Sequence, residues 1–257
     1  MDLVIDRGNS RQKLALFQDG RCIDHTVVGL NPDGWLPWLN GRVPVRIAIG
    51  ASGEALPVSD LQRLAPVTVL RGDSPAPIRT AYATPATLGV DRWANAVAIA
   101  GMFPGRAALA VDLGTCITFD LVDPSGCHLG GAISPGLRMR AAAMHAHTAR
   151  LPEVDPDGDV QAFGTSTESA LRAGVVTGIR YELEGWAREG RYQWPDLAVV
   201  LTGGDAPRVA RALKSGIFAD PLLTLRGLHA LLESQSPPAR TAGFGPGAGT
   251  SDRPGRG

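Results

Sequence analysis

The chain has little cysteine, little lysine and no surplus of charge, and each shortage removes a class of function. Three cysteines in 257 residues, Cys22, Cys116 and Cys127, are too few and too scattered for a disulfide scaffold or a paired-thiolate zinc site. They read as small buried hydrophobes. The five histidines form no HExxH arrangement, and His145 and His147, two apart, point to different faces of a helix. No transition-metal enzyme is expected. Lysine and arginine together number 25, against 25 acidic residues, so there is no basic excess to displace counterions from a nucleic acid. No apolar run approaches the ~20 residues that span a bilayer. Asp2, Asp6 and Arg7 place charge at the very start, which argues against a cleaved signal peptide. The expectation is a cytoplasmic protein with neither a membrane nor a nucleic-acid partner.

What is present alternates. Short β-branched runs are followed by Ala- and Leu-rich stretches of helical length, which predicts an α/β fold. Leu3–Asp6, Gln12–Phe17 and Arg21–Val28 read as three successive strands, with Asp19-Gly20 as the turn between the last two. Arg46–Gly50 and Val67–Leu70 are further strand-length runs. From Gly89 the pattern is helical, with Trp93, Val97 and Ala100 on one face. Ala107–Asp112, Ile117–Val122 and His128–Ile133 read as three more strands, and a helix is predicted from Leu137 to about Thr148. Thr165-Ser166-Thr167-Glu168 fits a capping box. It opens a long helix on which Leu171, Val175, Ile179, Leu183 and Trp186 recur. Ala198–Thr202 is a strand, followed by a helix from about Pro207 to Lys214 and a last one over Arg226–Glu233. Residues 235–257 hold 6 Gly and 4 Pro among 23, a composition that predicts a disordered tail. The expected organisation is one lobe over 1–105, a second over 106–234, and that tail.

A repeat carries the functional reading. Val4-Ile5-Asp6-Arg7-Gly8-Asn9-Ser10 precedes a strand, an Asp-Gly turn and another strand. Ala110-Val111-Asp112-Leu113-Gly114-Thr115-Cys116 precedes Ile117–Val122, an Asp-Pro-Ser-Gly turn and His128–Ile133. Superposing Asp6 on Asp112 aligns Gly8 with Gly114 and Asn9 with Thr115. Two copies in register predict two similar lobes facing one cleft. Glycine lets the backbone approach a ligand and offer amide hydrogens to phosphate. The strand-end aspartate accepts only, which suits a metal ion or its waters. Lys13, one of only two lysines, follows the first loop, where an ammonium can reach phosphate; a solvated hairpin lysine fits the spacing equally well. Leu201-Thr202-Gly203-Gly204-Asp205-Ala206 adds an open strand-to-helix turn against which a base or ribose can lie.

These three segments together resemble the two phosphate motifs and the adenosine motif of the acetate and sugar kinase, heat-shock chaperone and actin superfamily. Within it the chain, over residues 1–233, resembles the type III pantothenate kinases. Gly89-Val90-Asp91-Arg92 is similar to that family's Gly-x-Asp-Arg segment, Gly130 to Leu137 to its Gly-Gly-x-Ile-x-Pro-Gly segment, and Phe163 to Thr167 to its Gly-x-x-Thr helix start. The resemblance implies two ribonuclease H-like lobes with a central cleft. It also implies ATP-dependent phosphorylation of pantothenate to 4'-phosphopantothenate, the first step of coenzyme A biosynthesis.

By the same resemblance Asp91 is the general base. Tyr82, Gly89, Val90, Asp91, Arg92 and Thr167 contact the substrate, although Asp91 and Thr167 also suit helix caps. Asp6, Arg7, Gly8, Asn9, Ser10, Arg11, Gln12, Lys13 and Thr115 bind ATP. Asp112 holds an activating monovalent cation, potassium or ammonium, with Mg2+ accompanying ATP. A homodimer is implied, with the helix from Thr167 to about Glu189 as a contact surface. Arg7, Cys116 and Asp205 depart from the usual pattern. The alternatives are an ATP-binding transcriptional accessory factor without catalysis, another small-molecule kinase of the same fold, and an actin-like scaffold. The shortage of room for inserted subdomains disfavours the last.

Overall fold

Alternation along the first strand sets the architecture. In the computed structural model, which describes residues 1–30, 35–52, 58–158, 160–210 and 217–235, strand β1 (Asp2–Arg7) sends Leu3 and Ile5 to one side of its sheet and Val4 to the other. β2 (Gln12–Gln18) and β3 (Arg21–Val28) fold back antiparallel. At the turn between them Asp19 and Gly20 both take positive φ, 49° and 74°, as a two-residue hairpin requires. After helix α1 (Leu36–Leu39), β4 (Arg46–Ala51) joins β1 in parallel. Helix α2 (Val58–Gln62) then leads to β5 (Val67–Leu70), parallel to β4. A two-residue strand, β6 (Arg79–Thr80), and a 3-10 turn (Pro85–Thr87) lead to α3 (Val90–Met102).

The second half repeats the plan. β7 (Ala108–Leu113), β8 (Cys116–Val122) and β9 (Cys127–Pro135) form the second antiparallel meander. It is followed by α4 (Leu137–Ala146), α5 (Thr167–Arg172), a π-helical turn (Ala173–Thr177) and α6 (Gly178–Gln193). β10 (Ala198–Thr202) pairs parallel with β7. Helix α7 (Ala206–Ala210) precedes β11 (Ile217–Ala219), and α8 (Leu223–Gln235) follows. The first sheet runs β3-β2-β1-β4-β5. The second runs β11-β10-β7-β8-β9 with β6 added at its edge. Read from β9, the order and directions match the first sheet strand for strand, so the duplication expected from the two Asp-x-Gly segments extends through five strands.

Three apolar clusters separate the layers. α3 and α8 lie between the sheets and bury Trp93, Val97, Leu228 and Leu231 against Val4, Ala48, Ala110 and Val200. Leu3, Ile5, Leu14 and Ile47 meet Trp35 and Leu39 on the outer side of the first sheet. Leu109, Val111, Phe119 and Val199 meet Leu171, Ile179 and Leu183 outside the second. Two segments cross the boundary expected at 105/106. Arg79–Thr80 adds to the second sheet, and α8, near the chain's end, packs on α3 and β1.

The strands fall within a residue or two of their expected positions. The short α1, α2, β6 and β11 carry too few residues for a period to register. The capping box lies one residue later than expected: Ser166 accepts from the Ser169 N–H at 3.2 Å while Ser169 Oγ accepts from the Ser166 N–H at 2.9 Å. Leu171, Val175, Ile179 and Leu183 recur every four residues, more than an α-helix needs per turn, and the π-helical turn absorbs the difference. The four-residue series continues to buried Ala187. Trp186, expected on that face, is 42% exposed. The expected tail beyond Gln235, and the helix expected to reach Lys214, extend outside the described residues.

Candidate active site

The same alternation that builds the sheets aims the site. Asp6 shares its side of β1 with Val4, Lys13 its side of β2 with Ala15, and Asp112 its side of β7 with Ala108 and Ala110. All three therefore face the space between the sheets. There a cleft of about 910 Å³ is lined from both halves of the chain. Asp6 sits directly opposite Lys13 in the β1–β2 register, as Asp112 sits opposite Thr118 in β7–β8. The two loops close alike: Gly8 N–H donates to Arg11 O at 3.0 Å, and Gly114 N–H to Cys116 O at 3.1 Å.

Of the residues expected to meet ATP, Asp6, Gly8, Asn9, Ser10, Arg11, Lys13 and Thr115 line the cleft. Gly203 and Gly204 line it as well. Arg7 and Gln12 do not: by strand parity they lie on the outer face with Ile5 and Leu14. Gln12 Nε2 donates to Gly29 O at 2.9 Å. The Arg7 side chain is buried, its Nε and Nη1 without a hydrogen-bond partner among the described residues. Asp205 also lines the cleft, with Arg208 Nη1 3.2 Å from its Oδ1. Arg208 pairs in turn with Asp157. Arg138 and Arg208, which sequence reasoning did not single out, complete the basic side of the cleft.

The carboxylates are crowded. Burial pushes Asp6 up to about 7; Lys13 opposes this, while the charges of Asp112 and Asp91 add to it. Burial likewise raises Asp112, against the pull of Lys13. Asn95 Nδ2 reaches Asp112 Oδ2 at 3.4 Å, and Thr224 Oγ1 on α8 donates to Asn95 Oδ1 at 2.9 Å. A pair of half-buried carboxylates under strain from like charge suits a hard cation.

Asp91 stands in the first turn of α3, at the cleft. Its Oδ1 accepts the Arg92 backbone N–H at 2.9 Å. Burial raises its pKa, the Arg92 N–H opposes that shift, and the Asp120 charge adds to it. Tyr82, Gly89 and Arg92 line the cleft beside it. Val90 does not; it turns into the core between the sheets. Thr167, exposed at the start of α5, lies outside this cleft. The Arg92 guanidinium forks onto Asp120, through Nε at 3.2 Å and Nη2 at 2.7 Å. Its Nη1 remains for the Tyr82 hydroxyl at 3.4 Å. Asp120 and His128, both fully buried, were absent from the sequence reading. The strand parity that puts Asp120 on the inner face with Val122 was the available signal.

The geometry is that of a phosphoryl-transfer site, with two amide-rich loops and a carboxylate between them. A family model described as type III pantothenate kinase matches residues 56–189. The type III pantothenate kinase of Phocaeicola vulgatus is 41% identical over 237 residues, covering 90% of this chain and 98% of that protein. The one from Bacteroides fragilis strain ATCC 25285 is 43% identical over 236 residues, covering 90% and 97%. A solved structure described as a Baf family transcriptional activator, from Campylobacter jejuni, aligns with a TM-score of 0.61 at 24% identity over 91% of this chain and 98% of that one. The activator of 2-hydroxyisocaproyl-CoA dehydratase from Clostridium difficile aligns at 0.51 and 12% identity over 91% and 95%. At such identities the two structures speak to the fold alone.

Proposed function

The chain belongs to the type III pantothenate kinase family, and from that premise we propose how its cleft carries out the reaction. The protein phosphorylates pantothenate with ATP, giving 4'-phosphopantothenate on the route to coenzyme A. The observation that carries the mechanism is Asp91, a half-buried carboxylate with a raised pKa at the cleft that both phosphate loops line.

The primary hydroxyl of pantothenate hydrogen-bonds to Asp91, which takes its proton as the oxygen bonds to the γ-phosphorus. The bond to the bridging oxygen breaks in the same displacement and ADP leaves. A carboxylate here mainly orients the hydroxyl, because phosphoryl transfer is governed by positioning and charge stabilisation. Amides and hydroxyls of Gly8, Asn9, Ser10 and Thr115 hold the phosphates, with the Lys13 ammonium beside them. Asp112 would hold a monovalent cation, potassium or ammonium, and Mg2+ accompanying ATP would supply neutralisation of the phosphate charge. The raised pKa values of Asp6 and Asp112 support that assignment, since a cation relieves their crowding. Tyr82 and the Nη1 edge of Arg92, which donates to the Tyr82 hydroxyl at 3.4 Å, meet the substrate.

The active form is a homodimer joined through the outer face of α5 and α6. Tyr181, on the side of α6 away from buried Ile179, Leu183 and Ala187, is 55% exposed there. A second copy that brings its Thr167 to the cleft reconciles the expected substrate contact with that residue's position in a single chain. The test of function is ADP release from Mg-ATP by the purified protein. Release only when pantothenate is added is expected, and equal release with and without it overturns the kinase reading.

A further inference from the structure

Arg92 and Tyr82, which face the cleft beside Asp91, are fastened from behind by one directed chain of hydrogen bonds. The Tyr82 backbone N–H donates to Thr80 Oγ1 at 3.0 Å. Thr80 Oγ1 lies 3.0 Å from His128 Nδ1, and His128 Nε2 lies 3.0 Å from Asp120 Oδ1. The same Oδ1 accepts Arg92 Nη2 at 2.7 Å, while Oδ2 accepts Nε at 3.2 Å. A carboxylate only accepts, so His128 Nε2 carries the proton. Nδ1 then accepts from the Thr80 hydroxyl, whose lone pair already takes the Tyr82 N–H. With a neutral imidazole every donor and acceptor along this path has one consistent role; the Thr80 hydroxyl also lies 3.5 Å from His128 O.

We propose that Asp120 and His128 are positioning residues for the pantothenate side of the reaction, locking the Arg92 guanidinium and the Tyr82 segment into one rigid unit; this rests on the kinase reading above. Three observations favour this over a purely structural pair. First, Arg92, Asp120 and His128 are 5%, 0% and 0% exposed, and a buried ion pair is seldom more stable than well-packed apolar residues. Such a pair specifies geometry rather than stability. Second, the fork consumes Nε and Nη2, so the guanidinium can turn only its Nη1 edge toward Tyr82 and the cleft. A carboxylate-bearing substrate meets a fixed single edge in place of a mobile fork. Third, the His128 ring stacks on Tyr82, with centroids 6.1 Å apart and 14° between planes, and tilts against Trp93 at 5.9 Å. It therefore fixes Tyr82 through ring and backbone together. β6, the two-residue strand that carries Thr80 to the edge of the second sheet, exists to make this junction: Thr80 pairs with His128 in register.

The test uses the full-length protein and steady-state kinetics in each substrate, with thermal unfolding alongside. His128→Phe keeps the ring and removes both hydrogen bonds. Thr80→Val, at a half-buried position, removes only the hydroxyl and reports even if His128→Phe fails to fold. His128→Gln restores an N–H for Asp120 and a carbonyl for Thr80. Both disruptive variants should raise the KM for pantothenate about tenfold while that for ATP stays within about twofold, below the ~hundredfold that a 1 Å misplacement can cost. His128→Gln should recover most of the loss. An unchanged pantothenate KM, or an equal rise for ATP, overturns the positioning role. Absence of pantothenate-dependent turnover in the unaltered protein overturns the kinase reading itself, so the two failures are distinct.

Discussion

The charge of Asp112 bears on Asp6 across the cleft and helps to hold its carboxyl near 7, although 106 positions separate the two in the chain. The link has a thermodynamic consequence. The folded value lies above the ~3.9 of an unperturbed aspartate, so the stabilisation is complete below about pH 4 and is lost as pH rises through about 7. In metal-free buffer the midpoint of thermal unfolding should therefore fall between about pH 5 and pH 8. Adding Mg2+ with potassium should raise it more at the higher pH, where the Asp6 carboxylate is ionised. An equal rise at both pH values would count against a cation at these residues.

The monovalent ion is tested separately. Exchanging potassium for sodium should slow turnover sharply, and Asp112→Asn should remove the difference between the two ions. Steady-state rates in matched ionic strength measure both effects. Indifference of the unaltered protein to the ion would reject the role given to Asp112.

Asp91 sets the acid limb of the pH profile. Burial raises its pKa; with Asp91 as the proposed base, activity is lost as pH falls through the raised value. The acid limb of kcat/KM for pantothenate should then have its midpoint above the ordinary aspartate range. A profile flat down to about pH 4 would place the essential base elsewhere.

Gly89 precedes Asp91 at the start of α3, and a Cβ there would lie 2.5 Å from Asp91 Oδ1. The side chain, being mobile, would move aside rather than unfold the helix. Gly89→Ala should lower kcat on the order of tenfold. Its cost in unfolding free energy should be about 0.5–1 kcal/mol, since alanine is a poorer N-cap than glycine. Rate loss without a comparable loss of stability is the expected outcome. Denaturant titration and single-turnover rates separate the two.

How much of this was legible in the sequence follows from the range of each interaction. Asp6, Lys13 and Asp112 were readable because Asp6 and Lys13 flank one glycine loop and Asp112 precedes the other, so the repeat announced itself twice. Arg7 and Gln12 were included by contiguity, but the two-residue period sends them to the outer face, a signal present in Ile5 and Leu14. Asp120 and His128 were not readable as site residues. Their roles depend on β8 lying against α3, and Asp120 is 28 positions from Arg92. Thr167 is adjacent to the helix cap, and nothing local tells whether its hydroxyl meets this cleft or another copy's. Trp186 falls at the margin of the buried face: the apolar series runs on to Ala187, and the Trp186 ring, 42% exposed, tilts against Phe119 at 5.5 Å.

In the proposed reaction a carboxylate is poised at the cleft that both phosphate loops line, and the decisive variant is Asp91→Asn. The exchange keeps shape and removes the base. Its rate of pantothenate-dependent ADP release should fall by roughly a hundredfold or more, while calorimetric titration finds ATP bound as tightly as before. A rate near that of the unaltered protein would contradict the account.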